Sequence, residues 1–222
     1  MVNSHRSKAD ILGQIRQTGL LPVVRVTSRE HALCAAEGVV RAGIPLIEIT
    51  LTIPGAIETI KELTERYGSK LIVGAGTVLD AGLCHAAIQN GAEFIVSPSL
   101  ELPVLAAAKE HEVVCISGAL TPTEAMAAWR AGADLVKIFP CGSVGGAKYI
   151  RALKGPFPQI DFVATSGVDI HNAAEFIASG TIAVGVGEKI FDPIALQEGD
   201  ADRVCSNAVR FVTALQPALR HG

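Results

Sequence analysis

An α/β fold, a (β/α)8 TIM barrel with an additional N-terminal helix, is predicted by three observations. Eight short apolar runs alternate with stretches of helical composition along a chain of 222 residues. That length suits one well-buried domain and is short for two. The runs are nearly unbroken in their apolar character, as parallel strands buried on both faces are. No G-x-G-x-x-G turn follows the first run, which ends VRVTSRE, so an open dinucleotide-binding sheet is disfavoured.

The eight runs are residues 21–26, 45–51, 70–75, 94–97, 113–117, 135–139, 161–165 and 182–186. Between them lie segments rich in Ala, Glu, Lys and Leu. Ser28 is placed to cap the first of these helices, and Thr121-Pro122-Thr123-Glu124 has the composition of an opening turn. Several helices run out into Gly43, Gly91, Gly132 and Gly180, where glycine suits a left-handed residue after a helix. Residues 8–18 are expected to form an extra helix over the barrel floor. The whole chain, 1–222, is expected to be one barrel domain, with 1–7 as a flexible tail.

Composition narrows the function classes. Hydrophobic residues make up 49% and charged residues 18%, and mean hydropathy is +0.38. Yet no apolar stretch approaches the roughly 18 residues of a membrane helix. The first ten residues, MVNSHRSKAD, lack the apolar core of a secretion signal, so a cytoplasmic location is expected. Net charge is −3 with no basic block, which argues against nucleic acid as a partner. The five cysteines are an odd number, widely spaced and without C-x-x-C pairing, as reduced thiols would be.

In a barrel, alternate strand residues point inward and chemistry gathers at the C-terminal ends of the strands. Polar residues inside the apolar runs are therefore the candidates. Lys137 shares a strand face with Leu135 and Phe139. Burial disfavours an ammonium and enlarges the neutral, nucleophilic fraction of an amine. Glu48 shares a face with Leu46 and Thr50. A buried glutamate is rare unless paired or functional, and near Lys137 it would be a proton carrier. Arg25 follows Val23 on one face, and its planar fork suits a carboxylate. Thr77 follows the glycines of GAGT, whose small size would let backbone approach a ligand. The glycine turns TSGVD (165–169) and GVGEK (185–189) close strands seven and eight, where such barrels often bind phosphate.

No histidine or carboxylate set with metal-ligand spacing stands on the strand ends, so no metal is expected. On these residues alone three readings stay open. One is a Schiff-base lyase acting on keto acids. A second is a sugar-phosphate isomerase or epimerase, with Glu48 as proton abstractor and Lys137 as its electrostatic partner. The third is a non-catalytic barrel acting as an assembly or sensor protein, which the intact pair of Lys137 and Glu48 argues against.

The segments LIEITLTIPGA, IVGAGTVLD, GAEFIVSPSL, GALTPTEA, VKIFPCGSVGGAKYIRALKGPFP, VATSGV and AVGVG together resemble the 2-keto-3-deoxy-6-phosphogluconate (KDPG) and 4-hydroxy-2-oxoglutarate aldolase family. The likeness runs from about Leu21 to Phe211, in order. It implies a trimeric barrel that cleaves a 2-keto-3-deoxy sugar acid to pyruvate and an aldehyde, with a covalent substrate Schiff base and no other cofactor. Lys137 would be the Schiff-base lysine and Glu48 the general acid and base. Thr77 and Pro98 would line the pyruvate pocket, with Phe139 beside the lysine. Thr165, Ser166, Gly167, Gly187 and Glu188 would hold the far end of the substrate.

Four positions depart from the family pattern. Thr52 stands where many members carry an arginine carboxylate clamp, so that role is assigned to Arg25. Ser117 replaces a frequent proline. Ser166 replaces a glycine, and Glu188 stands where a phosphate-binding serine is usual. A carboxylate beside a phosphate dianion repels it, by roughly 1 kcal/mol at a partly exposed site. The expected substrate is one lacking the 6-phosphate, or carrying a polar or cationic group there.

Overall fold

The computed structural model describes residues 6–220. Eight parallel strands close into a barrel in sequence order. They are β1 Leu20–Val24, β2 Leu46–Thr50, β3 Ile72–Gly76, β4 Phe94–Val96, β5 Val114–Ala119, β6 Leu135–Ile138, β7 Phe162–Thr165 and β8 Thr181–Val186. Each matches one of the eight apolar runs. Ten α-helices are described: α1 Lys8–Thr18, α2 Arg29–Arg41, α3 Ala56–Tyr67, α4 Ala81–Gln89, α5 Leu102–Glu110, α6 Pro122–Arg130, α7 Ala147–Lys154, α8 Ala173–Ala178, α9 Pro193–Gln197 and α10 Ala201–Leu219. No helix among the described residues is long and apolar enough to cross a membrane.

Side-chain alternation divides the core into two bodies. Ile47, Ile49, Val73, Ile95, Cys115 and Val136 face outward and pack under the helices. Leu21, Leu46, Ile72, Phe94, Val114, Ile116, Leu135 and Val163 face inward and fill the barrel. By the period of two, Glu48 and Lys137 then fall one step above Leu46 and Leu135, in the upper interior layer.

The helix caps follow the sequence signals. The Ser28 side chain accepts from His31 N, and Thr121 and Glu124 form a reciprocal capping box. Gly43, Gly91, Gly132 and Gly180 all take positive φ after their helices. The expected helix over residues 8–18 is α1, and its Ile11 and Ile15 plug the barrel floor. Of the expected tail over 1–7, residues 1–5 lie outside the described part. Ser7 caps α1 in a capping box with Asp10. Arg6 donates to Glu93 Oε1 and to Ser69 O, both at 2.6 Å.

Candidate active site

The two charged groups expected to meet inside the barrel do meet. Lys137 Nζ lies 3.9 Å from Glu48 Oε1, and both residues are buried. Glu48 comes from β2 and Lys137 from β6, four strands apart, so closure of the barrel brings them together. Among the described residues, neither carboxylate oxygen of Glu48 has a hydrogen-bond partner. Burial pushes the carboxyl above its ordinary range, against the pull of Lys137 and then Arg25. Lys137 Nζ also sits 5.5 Å from the centroid of the Phe139 ring, within cation–π range.

The glycines of GAGT have a different use from the one expected. A Cβ on Gly74 would come within 2.1 Å of the Phe94 ring, and one on Gly76 within 2.0 Å of Glu48 Oε1. They make room for inward side chains of the neighbouring strands. Gly76 in particular leaves the space that the Glu48 carboxylate occupies.

Arg25 is also relocated. The first apolar run extends to Val26, but β1 stops at Val24, where its register with β2 ends. Arg25 therefore stands just past the strand, exposed at the barrel mouth. Its Nη2 donates to Thr77 Oγ1 at 3.3 Å, which joins two residues singled out separately. Thr77 itself leaves β3 with φ 57°. Thr52 is exposed, with its hydroxyl 2.9 Å from that of Thr50.

A cavity of about 400 Å³ opens above Lys137, within the size range of small-molecule sites. Arg25, Lys137, Phe139, Thr165, Ser166, Gly167, Gly187 and Glu188 all line it. Glu48, Thr77 and Pro98 are not among its lining residues. Glu48 touches it through Lys137, and Thr77 through Arg25. Pro98 follows β4, its backbone pressed against Gly118, where a Cβ would lie 2.2 Å from the Pro98 carbonyl carbon. Cys141 is buried beside the mouth; its thiol, 3.7 Å from Gly146 O, is pushed up to about 11 by burial.

The turns after β6 and β7 brace each other. Gly142 N donates to Ser166 O at 3.0 Å. A Cβ on Gly167 would come within 2.6 Å of Gly142 Cα. Ser166 takes φ 73° and Gly167 φ 78°, so serine stands here in the left-handed region that glycine adopts without steric cost. Thr165 Oγ1 is buried with no hydrogen-bond partner among the described residues.

Two charged residues of the lining, Asp169 and Lys189, were not singled out from sequence. The available signal was their place at the ends of the TSGVD and GVGEK turns. Among the described residues, no three His, Cys, Asp or Glu side chains converge as a metal-binding group.

A family model described as KDPG and KHG aldolase matches residues 11–207. The chain is 34% identical to a KHG/KDPG aldolase of Escherichia coli (strain K12), over 83% of this chain and 86% of that protein. It is 33% identical to a 2-dehydro-3-deoxy-phosphogluconate aldolase of Dickeya dadantii (strain 3937), over 85% and 88%. A crystal structure of a KDPG aldolase from Legionella pneumophila, with pyruvate captured as a covalent carbinolamine intermediate, superposes with a TM-score of 0.82. That match is 28% identical and covers 88% of this chain and 95% of that one. The chain belongs to the KDPG and KHG aldolase family and is a class I aldolase, a lyase.

Proposed function

We propose that this aldolase cleaves a 2-keto-3-deoxy sugar acid, or 4-hydroxy-2-oxoglutarate, to pyruvate and an aldehyde through a Schiff base on Lys137. The observation that carries the assignment is the buried Lys137 amine, 3.9 Å from an otherwise unpartnered Glu48 carboxyl, beneath an open cavity.

The neutral Lys137 amine attacks C2 of the keto acid and gives a carbinolamine. Glu48 donates the proton with which hydroxide leaves as water, and the iminium forms. Glu48, now a carboxylate, takes the proton of the C4 hydroxyl. The C3–C4 bond breaks, its electrons flow into the iminium to give an enamine, and the aldehyde departs. Protonation at C3 and addition of water then release pyruvate and the free amine. The carboxyl raised by burial suits this alternation, because a proton carrier works best when its pKa lies near the working pH. The iminium formed on Lys137 is the electron sink, so the scheme calls for no separate cofactor.

Arg25, with Thr77 beside it, holds the substrate carboxylate by a charge-assisted contact. Phe139 flanks the lysine, and Pro98 borders the pyruvate end. Ser166, Gly167, Gly187 and Glu188 receive the far end, where Glu188 disfavours a 6-phosphate. Treatment with pyruvate and borohydride should reduce the adduct onto Lys137, seen by peptide mass spectrometry. Lys137→Ala should abolish both trapping and cleavage. Full activity in that variant, or trapping on another lysine, would overturn the assignment.

The same reading places the chain in the cytoplasm as a single-domain subunit of a homotrimer. Leu79 and Leu102, 52% and 56% exposed, offer apolar surface to a second copy. Light scattering should give the mass of three chains, and a monomer would refute it. Recovery of the protein outside the cytosolic fraction would refute the location.

A further inference from the structure

The part of the cavity formed by the turns after β7 and β8 carries a charge pattern that neither phosphate nor carboxylate suits. Asp169 and Glu188 bring two carboxylates to its lining, and Lys189 brings one ammonium. Among the described residues none of the three takes part in an ion pair. Asp169 uses Oδ1 to accept from His171 N at 2.8 Å and Asn172 N at 3.1 Å, which fixes the turn and leaves Oδ2 unused. Ser166, exposed on the same turn as Asp169, brings a hydroxyl side chain to the same lining.

The chemistry of this end fits hydroxyl groups. A hydroxyl both donates and accepts, so successive hydroxyls donate to Asp169 and Glu188 and accept from Lys189 and Ser166. An anionic tail meets two like charges against one opposite, whereas a neutral polyol finds a partner in each of the three groups. We propose that Asp169, Glu188 and Lys189 are specificity residues that select a 2-keto-3-deoxy acid with a neutral, polyhydroxylated tail. Unphosphorylated 2-keto-3-deoxyaldonates are then preferred over their 6-phosphates and over 4-hydroxy-2-oxoglutarate, whose far end is a carboxylate. This selection rests on the Lys137 aldolase reading given above.

The test measures kcat/KM on 2-keto-3-deoxygluconate, its 6-phosphate and 4-hydroxy-2-oxoglutarate. It uses the wild-type protein, an Asp169→Asn/Glu188→Gln double variant and Lys189→Met. Asparagine keeps the acceptor that holds the turn. Pyruvate and borohydride trapping is run on every variant, as proof of a folded barrel with a working lysine. The wild type should favour the neutral tail over each anionic substrate by at least about tenfold. The double variant should narrow that ratio about tenfold by raising kcat/KM on the anionic substrates. Lys189→Met should raise KM for 2-keto-3-deoxygluconate more than it lowers kcat.

The proposal fails if the wild type traps pyruvate yet prefers either anionic substrate or cleaves none of the three. It fails equally if the double variant leaves the ratio unchanged, or if Lys189→Met harms only the phosphorylated substrate, which would make Lys189 a phosphate handle. A wild type that traps no pyruvate overturns the aldolase reading itself, and this selection with it.

Discussion

Gly76 shows how a residue without a side chain determines the position of one that has chemistry. Position 76 faces the barrel interior beside Glu48, and the space of its missing Cβ is occupied by the carboxylate, 2.0 Å from where that Cβ would stand. A Gly76→Ala change therefore requires Glu48 to rotate or β3 to shift, since the new Cβ would overlap the Glu48 side chain. Either movement breaks the 3.9 Å relation to Lys137. We expect kcat to fall by roughly 10²–10³, within the range of losing a positioned acid or base, with KM for the keto acid little changed. The pH dependence of kcat should shift as well, because the carboxyl would enter a different environment. Steady-state kinetics across pH check this, and a variant with wild-type kcat would show that Gly76 does not position Glu48. The sequence made GAGT conspicuous but could not say what its glycines make room for. Their neighbours, Phe94 on β4 and Glu48 on β2, come from other strands, and strand pairing decides which side chain meets which gap.

At the scale of elements, the apolar runs made all eight strands legible, and the caps at Ser28 and Thr121 announced their helices. Strand ends were less legible, because hydropathy does not mark where a ladder stops. Val26 continues the apolar run, yet β1 ends at Val24 and leaves Arg25 at the mouth. Asp169 and Lys189 stood inside turns already noticed, but their direction depends on how the β7 and β8 turns pack above the barrel. Helix α1 was legible and has a consequence of its own. Its Ile15 is fully buried against the floor of the barrel, at the end opposite the cavity mouth. Ile15→Ala should destabilise the fold by about 2–5 kcal/mol while kcat at a permissive temperature stays unchanged. Denaturant titration beside steady-state kinetics checks this. A loss of kcat without loss of stability would mean that α1 acts on the site and does more than close the barrel.

For the whole molecule, the acid that serves the chemistry opposes the stability of the fold. Among the described residues, Glu48 has no hydrogen-bond donor on either oxygen. Burial raises its carboxyl pKa more than Lys137 and Arg25 lower it. A group whose pKa is raised by folding contributes most below its ordinary value, 4.5 for this carboxyl. That contribution is lost as pH rises through the raised value, since the native state must then bury a charge or hold a proton that the unfolded chain has released. Glu48→Gln keeps the shape of the protonated acid and has no charge to bury at any pH. Its Tm should equal that of the wild type near pH 4 and exceed it as pH rises above the ordinary carboxyl value and through the raised one. The scale is about 2–4 °C for each kcal/mol in a chain of this length. Cleavage activity should fall by roughly 10²–10⁴ in the same variant. Thermal melts from pH 4 to 8 check the stability half, and a Tm difference that stays flat or reverses across that range would refute it. If it holds, the barrel keeps a destabilising carboxyl at this position because the C–C cleavage needs a group that gains and loses a proton.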